Sequence, residues 1–400
     1  MKEQLLQGVR VLDLTRVLAG PYAGVLLASM GADVIKVENP NGGDDSRHMG
    51  PFVGEEGEKQ SAYYINFNHS KRGITLNLKE EEGKKIFLDL VKQADILLEN
   101  YRPGTMEKLG LGYDVLKEVN PKLIYGCVSG FGHTGPDSKR AGYDIIGQAM
   151  GGLMSTTGWP GGEPTRTGTP MGDVLGGLNL TIGVLAALYR KDKTGHGEKV
   201  DIALVDSVIS SMANISMIYL STGRVPERIG NRYESTYPYD SFAVKDGSVI
   251  IGAGNDKLYG LLCQVMGRED LATDPRYLHI KDRVEHHAAL KEDIESWSKT
   301  LTGKEVVDRL TAVGVPSCPI HSVEDLLTHP QIAHRNMFVE LDQTNFGPLK
   351  ITNCPQHFAE TYAGPSKAAP LLGEDNDEVY GELLGLSQEE LDALHARHIL

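Results

Sequence analysis

Positive charge is in short supply in this 400-residue sequence: 40 Lys and Arg face 54 Asp and Glu, a net charge of −14 at pH 7. The basic residues are scattered, so the chain lacks the footprint by which proteins grip nucleic-acid backbones or anionic membrane surfaces. Any polyanion would have to bind in a local pocket. Cysteine is scarce too. Cys127, Cys263, Cys318 and Cys354 stand far apart with no Cys-x-x-Cys pair, which points to reduced, buried thiols rather than a disulfide framework or a zinc knuckle. No uninterrupted apolar stretch approaches the roughly 20 residues of a membrane span. The first residues carry no basic n-region, apolar h-region or cleavage site, and the expected location is cytoplasmic. Also missing are a Gly-x-Gly-x-x-Gly fingerprint, a Gly-x-Ser-x-Gly elbow, a Walker loop and a His-Glu-x-x-His pair. His286-His287 lacks carboxylates at matching spacing, so no metal site is expected. There is no internal repeat and no low-complexity segment.

What is present is an ordinary globular composition, 40% hydrophobic and 24% charged, with an excess of glycine at 46 residues; close backbone approaches follow from that excess. Short apolar runs alternate with helical patterns. Val9–Leu14, Val34–Glu38, Gly73–Leu78, Asp95–Glu99, Leu123–Ser129 and Asp201–Leu204 read as strands. Tyr22–Met30, Lys79–Lys92, Met106–Val119, Asp173–Arg190 and Val205–Tyr219 read as helices between or after them. This predicts an α/β fold, an open and mostly parallel sheet in the Rossmann manner. Pro, Gly, Tyr and Arg accumulate from about Ser221 to Tyr239, as in a linker. The expected domains are a large Rossmann-like domain over 1–220, a linker and smaller α+β domain over 221–330, and a segment over 331–400 that returns to the large domain.

One acid stands out. Asp173 lies in Gly168-Thr169-Pro170-Met171-Gly172-Asp173-Val174-Leu175-Gly176-Gly177, at a loop-to-helix junction among residues with almost no side chains. Small neighbours would leave room for a bulky partner, and amides at a helix start can stabilise an oxyanion. An ordinary helix N-cap is the alternative. The first turn, Ala19-Gly20-Pro21, carries a proline, which disfavours a phosphate-cradling loop and an NAD site.

Ala19-Gly20-Pro21, Gly31-Ala32-Asp33-Val34-Ile35-Lys36-Val37-Glu38, Leu98-Glu99-Asn100-Tyr101-Arg102-Pro103-Gly104, Gly130-Phe131-Gly132 with Gly135-Pro136, and Gly172-Asp173 resemble the class III CoA-transferase family. That family includes formyl-CoA and carnitine CoA-transferases. The motifs come in the family's order, and the likeness runs to Pro370-Leu371-Leu372-Gly373-Glu374. The resemblance implies an interlocked, ring-shaped homodimer with active sites between the large domain of one chain and the small domain of the other. It implies acyl-CoA and small carboxylic acids as substrates, no tightly bound cofactor, and Asp173 as the nucleophile, a carboxylate already ionised at neutral pH. By the same resemblance, coenzyme A lies along Arg16, Val17, Leu18, Ala19, Asn39, Leu76, Lys79, Asn100, Tyr101, Arg102, Lys108, Lys139, Arg140 and Ala141. Lys71-Arg72 is a further candidate for its 3′-phosphate.

Racemases of the family place a histidine where this chain has Tyr143. A phenol is a poor proton-shuttling base at pH 7, so Tyr143 is expected instead to orient Asp173 or the acyl group. An α-methylacyl-CoA racemase or epimerase remains one alternative, a non-catalytic CoA-binding subunit another. Gly230-Asn231-Arg232 and Gly252-Ala253-Gly254-Asn255-Asp256-Lys257-Leu258 stand where formyl-CoA:oxalate transferases have a mobile glycine-run loop. Within the family the chain is most similar to acetyl-CoA:oxalate CoA-transferases, with succinyl-CoA and other dicarboxylate transferases next. A distal carboxylate would need a cation, which Arg232 or Lys257 of a second copy could supply.

Overall fold

The computed structural model describes residues 4–400. Strands β1 (Arg10–Asp13), β2 (Asp33–Glu38), β3 (Arg72–Thr75), β4 (Ile96–Glu99), β5 (Ile124–Ser129) and β6 (Lys199–Ala203) form one sheet in the order β3-β2-β1-β4-β5-β6. Every neighbouring pair runs parallel. Parallel strands covered on both faces must be apolar nearly throughout, and Val11, Leu12, Val34, Ile35 and Ile96 to Leu98 are almost wholly buried. The strand order reverses between β1 and β4. In doubly wound sheets the crevice beyond the carboxyl ends of such a pair is where ligands bind. Leu14–Ala19 and Asn100–Pro103 are the segments that emerge there.

Helix α1 (Ala19–Ser29) follows β1, α2 (Glu81–Val91) follows β3, and α3 (Asp144–Met150) precedes the long α4 (Met171–Thr194). α4 packs closely on α1: a Cβ at Gly177 would lie 2.6 Å from the Ala19 carbonyl oxygen, and one at Gly176 would lie 2.6 Å from Leu204 Cδ2. Asn179 and Thr181 break the apolar run of α4, so the expectation about uninterrupted apolar stretches is unchanged. α4 has 24 residues and a mean hydropathy of 1.6 over its most apolar window, enough by length and composition to cross a membrane. Single polar and small residues interrupt its apolar run without lowering the mean, and Leu180, Val184 and Ala187 are buried in the sheet-facing core. The helix expected over Val205–Tyr219 is two, α5 (Leu204–Ser211) and α6 (Ala213–Thr222), bent by 77°. Ala213 takes φ +46°, which no continuing helix allows.

The chain sorts into two compact units. The first takes the sequence up to Leu153, Arg166–Thr222 and Gln331–Leu400; the second takes Met154–Thr165 and Gly223–Pro330. The last segment of the first unit lies along β3: Asn376 accepts from the Thr75 amide at 2.8 Å, and the Tyr380 hydroxyl donates to the Thr75 carbonyl at 2.7 Å. The second unit carries an antiparallel sheet, β9-β8-β7, of β7 (Tyr239–Val244), β8 (Gly247–Gly252) and β9 (Ser317–Pro319). Helices cover a core that includes Phe242, Ile251, Leu262 and Leu290. Residues 154–165, expected with the large domain, join this unit because the Arg228 guanidinium donates to the Ser155 and Gly162 carbonyls at 3.1 and 3.0 Å.

Gly177→Ala should push α1 and α4 apart and destabilise the protein by about 1–3 kcal/mol. Urea unfolding would show it as a lower midpoint at unchanged slope.

Candidate active site

The loop after β1 is held open by side chains rather than by its own backbone. Asp13 accepts from the Thr15 amide (2.9 Å) and hydroxyl, and Lys36 Nζ donates to the Thr15 carbonyl. Asn100 bridges both polar groups of the Arg16 backbone at 2.7 Å each. Asp44 Oδ1 accepts from the Val17 amide at 3.0 Å. Val17 itself has φ +67°, an outlier for a β-branched residue that costs about 1–3 kcal/mol.

A cavity of about 460 Å³ opens against this loop. Arg16, Val17, Leu18 and Ala19 line it from one side, and Asn100, Tyr101 and Arg102 come from the end of β4. Arg140, Ala141 and Tyr143 lead into α3, and Asp173 stands in the first turn of α4. A second cavity of about 240 Å³ shares Arg16 and Tyr101 with the first and adds Asn39, Leu76 and Lys79. Most of the residues expected along coenzyme A are thus gathered around two adjoining hollows. Lys108 and Lys139 are exposed and line neither. The Lys71-Arg72 expectation is overturned. Lys71 has no exposure and pairs with Asp13 at 2.8 Å, and Arg72 is spent on Asp33, Glu378 and Glu382. Arg232 is half-buried and Lys257 exposed, both in the second unit.

Two expectations about Asp173 change. Burial, then the neighbouring Asp144 charge, pushes its carboxyl up to about 7, so it is not fully ionised at neutral pH. Nor do Gly172, Gly176 and Gly177 leave room for a ligand. Asp144 fills the space beside Gly172, Leu204 that beside Gly176, and Ala19 with Tyr22 that beside Gly177. Asp144 is a residue that sequence reasoning missed, although it adjoins Tyr143. Its Oδ1 accepts from the Gly172 amide and its Oδ2 from Gln148 Nε2, each at 2.8 Å. Gln148 in turn accepts from the Thr167 amide at 3.0 Å. The Tyr143 ring is 72% exposed, and no hydrogen bond joins it to Asp173.

The cavity's arginines differ in availability. Arg16 stacks 5.4 Å from the Tyr101 ring centre and lies 3.3 Å from Asp45; Arg140 covers Phe131 and pairs with Asp137 at 3.0 Å. Arg102, exposed, has no carboxylate partner among the described residues.

Glu99, Cys127 and His133 each bring a ligand atom to within 4.8 Å of the others. The set does not suit a cation. The Lys199 ammonium stands 3.3 Å from His133 Nδ1, and the Glu99 oxygens already accept from the Tyr101 amide at 2.7 Å and the Tyr125 hydroxyl at 3.1 Å. Burial raises Glu99 to about 7, and burial with Lys199 lowers His133.

The sequence model of CoA-transferase family III matches residues 6–376. The chain belongs to this family. Among CoA-transferases with named substrates, the acetyl-CoA:oxalate CoA-transferase of Acetobacter aceti is 42% identical over 83% of this chain and 85% of that protein. The succinate–glutarate CoA-transferase of Agrobacterium fabrum is 39% identical over 94% and 95%. A CAIB/BAIF family protein from Brucella suis, solved by crystallography, superposes with a TM-score of 0.85 at 39% identity, covering 96% of this chain and all of that one. The protein is therefore a class III CoA-transferase, an enzyme whose substrates are CoA thioesters and carboxylic acids.

In a CoA-transferase the Asp173–Asp144 pairing has a measurable consequence. Isotope-edited infrared titration of the Asp173 carboxyl should give a midpoint of about 7. Asp144→Asn keeps an oxygen for the Gly172 amide but removes the neighbouring charge, and should lower that midpoint. An unchanged midpoint would leave burial as its sole cause.

Proposed function

We propose that this transferase takes CoA from a short acyl-CoA such as acetyl-CoA, succinyl-CoA or formyl-CoA and passes it to a small mono- or dicarboxylate such as oxalate, with Asp173 as the covalent nucleophile. The observation that carries the reading is a half-buried carboxyl of raised pKa, in the first turn of a long helix, lining a cavity with three arginines. The Asp173 carboxylate adds to the thioester carbonyl carbon, the C–S bond breaks, and CoA leaves as thiolate from a mixed anhydride. The thiolate attacks the aspartyl carbonyl, releases the donor acid as carboxylate and leaves an aspartyl-CoA thioester. The acceptor carboxylate attacks that thioester to form a second anhydride. CoA thiolate then takes the acceptor acyl group, and Asp173 is regenerated. One thioester and one acid become another thioester and acid, so no ATP is consumed.

Each physical feature has a part in this. A carboxylate of raised pKa is the stronger nucleophile. Arg16, Arg102 and Arg140 offer fork-shaped cations to the phosphates of CoA or to a distal carboxylate. Tyr143 we assign to orienting the acyl group, being exposed at the cavity. Exposed Ile209, Met217 and Leu220 on α5 and α6 support the interlocked homodimer as the working assembly, since large apolar side chains left open to solvent ask for a partner. Arg232 or Lys257 of the second copy then becomes the cation for a distal carboxylate. The cytoplasm is the location that goes with this reading.

Asp173→Ala should abolish transfer, by about four orders of magnitude or more as for lost covalent nucleophiles, while CoA still binds by calorimetry. Hydroxylamine added during turnover should label Asp173 in the parent enzyme. Full activity in the variant would overturn the mechanism. In the parent, kcat/KM should fall as pH drops through about 7, where Asp173 gains its proton. Mass detection of new CoA esters from a panel of acids would name the acceptor.

A further inference from the structure

Residues 15–17 have their backbone set by four side chains from elsewhere in the chain. Thr15 N–H donates to Asp13 and Thr15 C=O accepts from Lys36; Arg16 is bridged by Asn100; Val17 N–H donates to Asp44. Asp44 and Lys36 stand out among these partners. Both have no solvent exposure, and they pair at 2.7 Å through Asp44 Oδ2, leaving Oδ1 for Val17 and for the Ser46 amide and hydroxyl at 2.9 and 2.8 Å. The Asp44 amide is itself anchored on Glu38 Oε1 at 2.7 Å. One buried ion pair therefore grips the chain on both sides of Arg16, at the Thr15 carbonyl and the Val17 amide. The residue so gripped is a valine at φ +67°, a conformation valine leaves when nothing enforces it. Val17, Leu18 and Ala19 form the cavity wall shared with Asp173, and α1 starts at Ala19 with no side-chain cap on Leu18.

We propose that Asp44, held by Lys36, is a positioning residue for CoA transfer: it fixes the Val17 peptide in its left-handed conformation and so sets the cavity wall shared with Asp173. Burying an ion pair is a poor route to stability alone, since a hydrophobic pair of the same volume does as well or better. An acid and an amine that between them satisfy two backbone groups of one strained loop do something an apolar pair cannot. The proposal rests on the reading of Asp173 as the nucleophile, and its test separates the two.

Asp44→Asn keeps an oxygen for the Val17 amide but sets a neutral side chain against the Lys36 ammonium. Its kcat should fall by roughly tenfold to a hundredfold, the scale of a displacement of about 1 Å at a reacting centre. Its crystal structure should show Val17 at negative φ. Val17→Gly in the same background adopts φ near +67° without strain. It should recover most of the lost kcat relative to the Val17→Gly single variant, while the melting temperature stays as low as in Asp44→Asn. A purely structural Asp44 predicts no such recovery, and parallel losses in the single and double variants would overturn the proposal. If Asp44→Asn does not fold, Lys36→Arg, which keeps the charge of the pair, is taken through the same cycle with the same expected and overturning results. The φ of residue 17 is read without any assay of transfer. An inactive parent enzyme, or an active Asp173→Ala, would sink the functional reading, while the conformational arm would still decide the role of Asp44.

Discussion

Four side chains with no solvent exposure pair two by two: Asp13 at the carboxyl end of β1 with Lys71, just before β3, and Lys36 of β2 with Asp44, beyond the end of that strand. Burial opposes each charge, yet Lys71 with Lys36 holds Asp13 below its ordinary range, and Lys36 with the Ser46 and Val17 amides does the same for Asp44. Removing one member of such a pair strands the other in low dielectric, at a cost of about 3–5 kcal/mol. The sheet edge, the β1–α1 loop and the segment around Asp44 are therefore one unit. Because the strand order reverses at β1, that unit lies where an open parallel sheet leaves its crevice.

Across the cavity the electrostatics run the other way. Asp173 and Asp144 are two acids on adjoining helices, with no cation paired to either among the described residues. Asp144 is committed to the Gly172 amide and Gln148, which leaves Asp173 as the group whose proton is loosely decided near neutral pH. Arg16, Arg102 and Arg140 line the same cavity without pairing with either acid. That separation keeps the acid basic while offering cations to an anionic ligand, a division that a direct Arg–Asp pair would cancel by lowering the acid's pKa.

Much of this was legible in the sequence, and the rest was not for identifiable reasons. The strands were readable because each is a short apolar run closed by a turn, as Gly31-Ala32-Asp33 opens β2. Asp173 was visible because it is a lone acid among small residues, but the glycines around it serve helix contact, a fact fixed by Leu204 and Ala19 from other elements. Lys71 read as a candidate phosphate ligand since its partner Asp13 lies 58 residues away and neither carries a local sign of burial. Asp144 escaped for the same reason, its bond to Gly172 spanning 28 residues. The break between α5 and α6 has no proline to announce it; Ala213 turns by tertiary context alone.

The contact between Gly177 and the Ala19 carbonyl bears on how such a molecule can change over generations. It sets the spacing between the start of α1 and the helix that carries Asp173 through main chain against bare main chain, a gauge that no side chain can enter. Residues of the floor are therefore held by the fold. Arg102, Arg140 and Tyr143 are exposed at the mouth, where replacement disturbs little packing. Replacements can therefore accumulate at these exposed positions while the spacing between α1 and the helix that carries Asp173 stays fixed.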